Sequence, residues 1–348
     1  MRLELRRRTL RLAEALPTSY GELRERELLL VAITDGEGVT GYGEAAPLEP
    51  YDGISLERVE RALQLYARVF SDAAAEGMSG AELLEACRRL ADLPVALAAI
   101  DLALWDRAGR RRGLPVAALL SDAPAAAVPV NATLTALDRA GVAEQAARAA
   151  GEGFGCLKLK VGVGDDAGRV AAARAGAGPG LALRLDANGA WSVEEAVRAI
   201  GALSPAGLEL VEEPVHGLAA VREVRERVAV RVSIDETAAE AGALGAGVAD
   251  AVCLKISRCG GIGGLLAAAT LVRACGAEVY LASTLDGPLG VAAAVHAAGA
   301  LASRGPLAHC GLATLRLFAG LEDPLPAVGG EIALPTAAGL GVEAIGSF

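Results

Sequence analysis

The pattern of apolar and polar residues changes along the chain, and its first part predicts a small antiparallel sheet. Residues 2–12 alternate in part, residues 27–34 are rich in aliphatic side chains, and residues 39–45 continue this texture. Such runs are typical of β-strands. The polar segment 16–21 predicts a loop between the first two strands, and Asp-Gly-Glu-Gly at 35–38 predicts a hairpin turn.

Helical periodicity follows this sheet. The spacing of apolar residues predicts helices at about 56–70, 81–90 and 95–110, and a Gly-Leu-Pro segment then stops the pattern. Three strands followed by three helices indicate a separate α+β domain, which we assign to residues 1–120.

From residue 128 onward, short apolar runs alternate with Ala-rich helical runs such as 193–203 and 218–227. The strands are predicted at 128–133, 156–161, 181–185, 208–211, 230–234, 251–256, 279–282 and 307–310. Strands that alternate with helices at this spacing predict a parallel sheet, and eight of them predict closure into a barrel. In such barrels the C-terminal ends of the strands carry the chemistry.

Composition and charge narrow the possible functions. The chain has 348 residues and a net charge of −10, which argues against binding to nucleic acid or to an anionic membrane surface. None of the six cysteines forms a C-x-x-C pair, and the first residues lack the apolar core of a signal peptide. We therefore expect a cytoplasmic protein that acts on a small molecule.

Acidic residues stand where three successive strands are predicted to end. Asp186, Glu212 and Asp235 follow the third, fourth and fifth barrel strands, so the three carboxylates converge at one mouth. Like charges this close are costly unless a cation neutralises them, and a set of oxygen ligands suggests Mg²⁺. For any one of the three residues alone, helix capping or a solvated loop carboxylate would be the simpler interpretation.

Lysines flank these acids. Lys158 and Lys160 are two residues apart on the second strand, so both lie on one face, and Leu157 and Leu159 lie on the other. Lys255 is predicted to end the sixth strand, on the opposite side of the barrel. A lysine beside a cation can remove the proton α to a carboxylate, because the cation stabilises the charge that develops. Buried ion pairs with the acids are the structural alternative.

Seven motifs in one order resemble the enolase superfamily, specifically its muconate-lactonizing subgroup. They are G-Y-G-E-A-A-P at 41–47, A-I-D-L-A-L-W-D at 99–106, K-L-K at 158–160, D-A-N-G-A-W at 186–191, E-E-P at 212–214, D-E-T at 235–237 and K-I-S-R-C-G-G at 255–261. The resemblance implies an α/β fold: a modified TIM barrel, (β/α)7β, over 125–321. An α+β capping domain over 1–120 is completed by about 322–348.

The resemblance also implies roles for individual residues. It makes Asp186, Glu212 and Asp235 ligands of Mg²⁺, with Mn²⁺ as a possible substitute; Glu212 is the first acid of E-E-P and is chosen over Glu213. The other implied roles are Lys160 and Lys255 as the acid/base pair, Lys158 as the residue that tunes Lys160, Asn188 and Glu236 as groups behind the ligands, and Thr18, Tyr20 and Tyr51 as residues that close over the substrate. Oligomers are common in the superfamily, so a homo-oligomer is possible.

The ends of the last two strands select among the members of the subgroup. Dipeptide epimerases carry Asp-x-Asp at the eighth strand, and the segment 309–315 lacks it. Ser283, Thr284 and Asp286 instead resemble the substrate-binding segment of o-succinylbenzoate synthases, the dehydrating enzymes of menaquinone biosynthesis. His309 is predicted to end the eighth strand near the mouth, where it is either structural or a substrate contact.

Alternative functions remain open at this point. The segments 18–20 and 47–51 resemble those of epimerases and cycloisomerases. The alternatives are therefore a dipeptide epimerase, an N-succinylamino acid racemase or a muconate cycloisomerase. An alternative of another class is a barrel that binds a ligand without catalysis, although the implied metal ligands and lysines are all present.

Overall fold

The computed structural model describes residues 1–18 and 21–343, and its first sheet is antiparallel. Its strands, in the order β1-β2-β3, are β1 (Arg2–Thr18), β2 (Gly21–Thr34) and β3 (Thr40–Ala45). The loop predicted over 16–21 is wrong at its start, because residues 16–18 belong to β1 and Thr18 pairs with Gly21. Local polarity marked this segment as a loop, but cross-strand pairing extends β1 into it; residues 19 and 20 lie outside the described part of the chain.

Five α-helices follow this sheet in the chain, and some of them pack against it. They are α1 (Glu49–Asp52), α2 (Leu56–Ser71), α3 (Gly80–Leu90), α4 (Pro94–Arg112) and α5 (Val116–Leu120). Ser55 and Ser79 cap the N-termini of α2 and α3 by accepting backbone N–H groups. Strand β3 packs directly on α4: a Cβ atom added at Gly43 would lie 2.1 Å from the carbonyl oxygen of Ala99. This close approach explains why glycine precedes Glu44 in the G-Y-G-E motif.

A second sheet holds seven parallel strands. In chain order they are β5 (Ala132–Leu134), β6 (Cys156–Lys160), β7 (Ala182–Asp186), β8 (Leu208–Glu212), β9 (Arg231–Ile234), β10 (Ala251–Leu254) and β11 (Glu278–Leu281). The helices between and after them are α6 (Arg139–Gly151), α7 (Asp166–Ala177), α8 (Val193–Leu203), α9 (Leu218–Arg227), α10 (Ile262–Ala274) and α11 (Pro288–Ala302). Neighbouring strands follow one another in sequence, as expected for a barrel.

The barrel closes without the predicted strand at 307–310. Instead, Cys310 forms a parallel bridge to Val130, and Gly311 forms one to Ala282. These two residues thus join β11 to the segment that leads into β5. The eighth strand is shorter and begins later than predicted, because it is reduced to these two bridges, one to each neighbour.

The segment predicted as one strand at 128–133 belongs to two sheets. β4 (Ala127–Pro129) pairs with β13 (Glu331–Ala333), which also pairs with β12 (Ala327–Val328). Further along, the carbonyl of Gly339 accepts the N–H of Val116. The C-terminal segment therefore contacts both parts of the chain, and the domain boundaries stay a prediction.

Two properties of the described residues bear on the environment of the protein. All six cysteines are unpaired. None of the helices in residues 1–18 and 21–343 has both the length and the apolar character needed to cross a lipid bilayer.

Candidate active site

Strand β6 presents its two lysines to the same side. Leu157 and Leu159 are buried in the core, while Lys158 and Lys160 are partly accessible and line one cavity. The alternation of a β-strand produces this arrangement, because successive side chains point to opposite faces. Both ammonium groups therefore reach the mouth of the barrel.

Asp186 and Glu212 end neighbouring strands and share an ammonium group. Asp186 ends β7 and Glu212 ends β8, and the two residues are register partners. The Nζ atom of Lys158 lies 3.0 Å from Oδ2 of Asp186 and 2.8 Å from each carboxylate oxygen of Glu212. Both acids are buried, so the lysine supplies the charge that their burial requires.

Asp235 follows β9 and is bound from the other side of the mouth. Lys255 lies one residue beyond the end of β10, because this strand is shorter than the predicted strand 251–256, and it donates to Oδ2 of Asp235 at 2.6 Å. Its Nζ also donates to the hydroxyl of Tyr51 at 2.5 Å and lies 4.3 Å from the centre of that ring. The Tyr51 hydroxyl in turn donates to Oδ1 of Asp235 at 2.9 Å. A side chain from the first sheet's part of the chain thereby completes the site.

Asn188 and Glu236 lie behind Lys160. Lys160 donates to Oδ1 of Asn188 at 2.5 Å, and the amide of Asn188 donates to Glu236 at 3.0 Å. The backbone N–H of Asn188 also donates to Oδ1 of Asp186 at 3.0 Å. Asn188 adopts a φ of 44°, a conformation that asparagine tolerates better than most residues. This chain of contacts fixes the direction in which Lys160 points.

The ammonium groups and carboxylates of the site stabilise one another's charged forms. Burial alone would raise the pKa of Asp186, but the ammonium groups of Lys158 and Lys160 outweigh it and lower this pKa to about 2. Burial opposes the charge of Lys158 and of Lys255, yet the neighbouring carboxylates raise the pKa of both lysines above the usual range. Without another cation, Lys158 and Lys255 are therefore held as ammonium groups.

The predicted substrate residues fall into three groups. A cavity of about 580 Å³ is lined by Thr18, Tyr51, Ser283 and Thr284, together with the three lysines. Tyr20 lies outside the described residues. Asp286 is not among the lining residues; it is buried and accepts the backbone N–H of Thr284.

Asp286 instead lies beside a second buried acid. A Cβ atom added at Gly290 would lie 2.7 Å from Oε1 of Glu44 and 2.9 Å from Cβ of Asp286. Glu44 accepts the N–H of Leu289 at the start of α11. The turn after the seventh barrel strand thus directs Asp286 toward the first sheet rather than into the cavity.

The residues of the mouth fit a divalent metal ion in their chemistry. Within the described part of the chain, Glu212, Asp235 and Cys253 offer ligand atoms that lie within 4.8 Å of one another. Asp186 is joined to Glu212 through the ammonium of Lys158 rather than directly. Burial raises the pKa of the Cys253 thiol well above its usual range, so the protonated sulfur is a poor ligand for a hard cation. The carboxylates are the suitable donors, and the Lys158 ammonium stands in for the cation between two of them.

Sequence reasoning missed three features of this site. Arg258 donates to the Tyr51 hydroxyl at 2.8 Å, and it lies within the K-I-S-R-C-G-G motif that was already noted. Glu213 accepts the N–H groups of Asp235 and Thr237, so it holds the loop of a candidate ligand. Only three of the 33 basic residues are lysines, and all three are in the site. This scarcity of lysine was a sequence signal that single-motif reasoning overlooked.

His309 is not among the described residues that line the cavity. Its carbonyl oxygen accepts a hydrogen bond from Arg184, and its ring lies next to Gly155, just before β6. It precedes the bridging residues 310 and 311, so it lies at the start of the last barrel segment. The prediction that it stands at the mouth was wrong because that segment begins later than expected.

Comparisons with known proteins cover nearly the whole chain. Residues 4–121 match the model of the mandelate racemase / muconate lactonizing enzyme N-terminal domain, and residues 141–345 match that of the enolase C-terminal domain-like family. Muconate cycloisomerase 1 of Rhodococcus opacus is 32% identical over 333 residues, which are 91% of this chain and 88% of the relative.

Two further proteins represent other activities. The o-succinylbenzoate synthase of Thermobifida fusca is 40% identical over 218 residues, which are 59% of this chain and 66% of the synthase. The structure of a dipeptide epimerase from Enterococcus faecalis, complexed with Mg and the dipeptide L-Leu-L-Tyr, has a TM-score of 0.86 and 28% identity. It covers 98% of both chains. These matches confirm the predicted α/β barrel fold.

Proposed function

We propose that this chain, which belongs to the muconate-lactonizing subgroup of the enolase superfamily, is an o-succinylbenzoate synthase. The relatives in this subgroup are lyases and isomerases. In this proposal, the protein removes a proton α to a carboxylate and expels a neighbouring hydroxyl group as water. The proposal includes a cytoplasmic location, which the six unpaired cysteines support.

The observation that carries the proposal is the placement of Lys160 and Lys255. Both line the same cavity, one 3.8 Å from Asp186 and the other 2.6 Å from Asp235. A substrate carboxylate between these acids would have an ammonium or amine on each side. Proton abstraction requires such a positioned base within hydrogen-bond reach of the carbon acid.

Asp186, Glu212 and Asp235 are the proposed ligands of Mg²⁺. Bound there, the metal would stabilise the negative charge that develops on the substrate carboxylate. The carboxylates now raise the pKa of Lys158 and Lys255, and neutralising them would remove the main cause of that rise. The acids and lysines therefore fit one function, in which the acids would hold the metal and the lysines lie beside the substrate.

The reaction then follows from the placement of the chain's own groups. Lys160, oriented by Asn188, takes the α-proton of a succinyl-hydroxycyclohexadiene carboxylate. The C–O bond on the adjacent carbon breaks, Lys160 returns the proton to the departing hydroxide, which leaves as water, and the ring becomes aromatic. Lys255, fixed by Asp235 and Tyr51, acts as a cation next to the ring system.

Two observations favour the synthase over a dipeptide epimerase. The wall of the cavity formed by Gly311, Thr314 and Leu317 carries no acid that would bind a substrate ammonium group. Ser283 and Thr314 form a neutral hydrogen-bonded pair at 2.8 Å on that wall. The 40% identity to a curated synthase supports the same choice.

A racemase of N-succinylamino acids is the second candidate. Lys255 lines the same cavity as Lys160, and a pair of opposed lysines suits removal of a proton from one face and its return to the other. A solved N-succinyl Arg/Lys racemase of Bacillus cereus shares the fold over 98% of this chain, with 25% identity.

A substrate screen in D₂O with Mg²⁺ tests both candidates. The panel contains the synthase substrate, N-succinylamino acids, dipeptides and muconate. Aromatic product from the first compound, with no α-proton exchange in the others, is the expected result. Exchange without dehydration would favour the racemase, and inertness toward the whole panel would contradict proton abstraction.

A further inference from the structure

A buried guanidinium lines the active-site cavity with unused hydrogen-bond donors. Arg169, on α7, borders the same cavity as Lys160 and Asp186. Only 3% of its side chain is exposed, and its Nε and Nη1 atoms have no hydrogen-bond partner within residues 1–18 and 21–343. A charged group buried without partners is costly, so such donors point to a ligand that satisfies them.

The protein groups near Arg169 do not satisfy its hydrogen-bond donors. Its Nη2 atom donates to the carbonyl of Ala136 at a long 3.3 Å, and Nη1 is 3.7 Å from Oδ1 of Asp166. The other oxygen of Asp166 accepts the N–H of Gly162 at 2.7 Å. Asp166 thus serves mainly the loop after β6, and it supplies only a weak partner to the guanidinium.

Another arginine of the same helix shows what a structural role looks like here. Arg174 donates to the carbonyl oxygens of Gly178, Leu181, Ala206 and Gly207, at 2.7 to 3.0 Å. Its donors thereby connect the segment 178–181 to the segment 206–207. Arg169 differs because it is among the residues that line the cavity, and two of its three guanidinium nitrogens have no hydrogen-bond partner within the described residues.

Resting on the proton-abstraction site proposed above, we propose that Arg169 binds a second carboxylate of the substrate. The substrate is then a dicarboxylate whose reacting end lies at Lys160 and whose other end is paired with the Arg169 fork. A planar guanidinium suits a carboxylate because two parallel N–H groups can bind its two oxygens. Leu137 and Val163, which line the same cavity, suit the methylene groups between the two ends.

The volume of the cavity and the net charge of the protein agree with this assignment. A cavity of about 580 Å³ is within the range of small-molecule sites and has room for more than one anchored end. The net charge of the protein is −10, so a second anionic group needs a local cation to be accepted. A succinyl group supplies such a carboxylate at the end of a short methylene chain.

The test compares two ligands that differ only at the distal end. 2-Succinylbenzoate carries the second carboxylate, and 2-butanoylbenzoate carries a methyl group in its place. Affinities are measured by calorimetry with Mg²⁺ for the wild type and for Arg169→Met. We expect the wild type to prefer the succinyl ligand at least about tenfold, as for a charge-assisted pair, and the variant to bind both about equally. A wild type without preference, or a variant with unchanged preference, overturns the proposal.

One variant and one ligand act as controls. Arg139→Met removes an exposed charge close to α7, where Arg139 pairs with Asp165, and it should keep the wild-type preference. Binding of the butanoyl ligand reports whether Arg169→Met is folded. If that variant is unfolded, Arg169→Lys replaces it: a preference reduced at least about threefold supports a role of the fork, and an unchanged one contradicts it.

A failure of the proposed function would be visible separately. If neither benzoate binds, the synthase assignment is wrong, and the same comparison is made with N-succinyl- and N-butanoyl-phenylglycine. The preference of the wild type for the succinyl member, and its loss in Arg169→Met, would then support Arg169 independently of the ring. Equal binding of this pair would overturn the proposal.

Discussion

A single ammonium group, that of Lys158, lies 2.8 Å from both carboxylate oxygens of Glu212. It is also 3.0 Å from Asp186, so one lysine neutralises two acids on neighbouring strands. A divalent cation bound by the same acids would compete with this role and release the lysine. The electrostatics of the mouth are therefore expected to depend strongly on metal.

Removal of metal should abolish turnover. We expect EDTA to stop the reaction, Mg²⁺ to restore it, and Mn²⁺ to substitute. Mg²⁺ should also raise the melting temperature of the wild type, because it binds only the folded chain, and Asp235→Asn should weaken this shift. Glu223→Gln, which removes an exposed acid of α9, is the matched control. Full turnover by metal-free protein would contradict the proposed ligands.

Loss of Lys160 should affect chemistry more than folding. We expect Lys160→Ala to lower kcat by about 10² to 10⁴, the usual contribution of a positioned base. Mg²⁺ binding should persist or tighten, because a nearby positive charge is gone. Lys160→Arg keeps that charge but cannot act as a base at neutral pH, so it should be equally inactive. Wild-type turnover in either variant would show that the lysine is structural.

Lys255 distinguishes the two candidate reactions. In a synthase with one base, Lys255→Ala loses turnover and no exchange from a second face appears. In a racemase each lysine serves one face, so the variant still exchanges the α-proton of one enantiomer with D₂O. The measurement is NMR of α-proton loss for both enantiomers of an N-succinylamino acid. Unchanged turnover on the true substrate would exclude Lys255 from both mechanisms.

Dipeptides should be poor substrates. The segment 309–315 lacks an Asp-x-Asp pair, so the ammonium group of an Ala-Glu dipeptide has no acidic partner there. We expect little or no epimerisation by polarimetry or NMR. Efficient epimerisation of Ala-Glu would replace the synthase assignment by that of a dipeptide epimerase.

The buried Glu44 should make stability depend on pH. Burial and the nearby Asp286 raise the pKa of Glu44 to about 8 in the folded protein, above the ordinary value of 4.5. Between these values the folded chain holds a proton that the unfolded chain has lost, so the contribution of Glu44 to stability falls as pH rises. Burial raises the pKa of Asp286 to about 6, although the nearby Arg26 opposes this rise by favouring the charged carboxylate.

Glu44→Gln removes this ionisation and tests the trend. The free energy of unfolding of the variant, relative to wild type, should increase with pH from 5 to 8 by up to about 1.4 kcal/mol per unit. Urea unfolding at four pH values measures it. Glu49→Gln, at an exposed position of α1, removes the same charge as a control. A difference that does not change with pH would contradict the raised pKa.

The sequence predicted which face of a strand a side chain occupies better than it predicted where the strand ends. The period of two on β6 correctly separated the lysines from Leu157 and Leu159, because alternation is a local property. Lys255 lies just beyond β10, and His309 lies at the wrong end of the last segment. Strand ends depend on which neighbouring strand supplies hydrogen bonds, and local sequence carries little of that information.

Long-range contacts were the other limit. Asp286 fitted a substrate-binding motif, yet the turn buries it beside Glu44, about 240 residues earlier. Arg258 and Arg169 could not be distinguished in the sequence from the many other arginines. Arg258 is notable only because it contacts Tyr51, and Arg169 only because it lines the cavity. The roles of the metal ligands, lysines and substrate residues stay predictions until the experiments above are made.

The scarcity of lysine has a practical consequence for following the barrel in solution. A protease that cuts only after lysine has its three sites in β6 and in the turn after β10, where the chain is held in the barrel sheet or immediately beside it. Cleavage must wait for these segments to open, so its rate reports the opening of the barrel itself. An arginine-specific protease would also cut exposed helices, and the difference between the two digests separates surface fraying from loss of the catalytic centre.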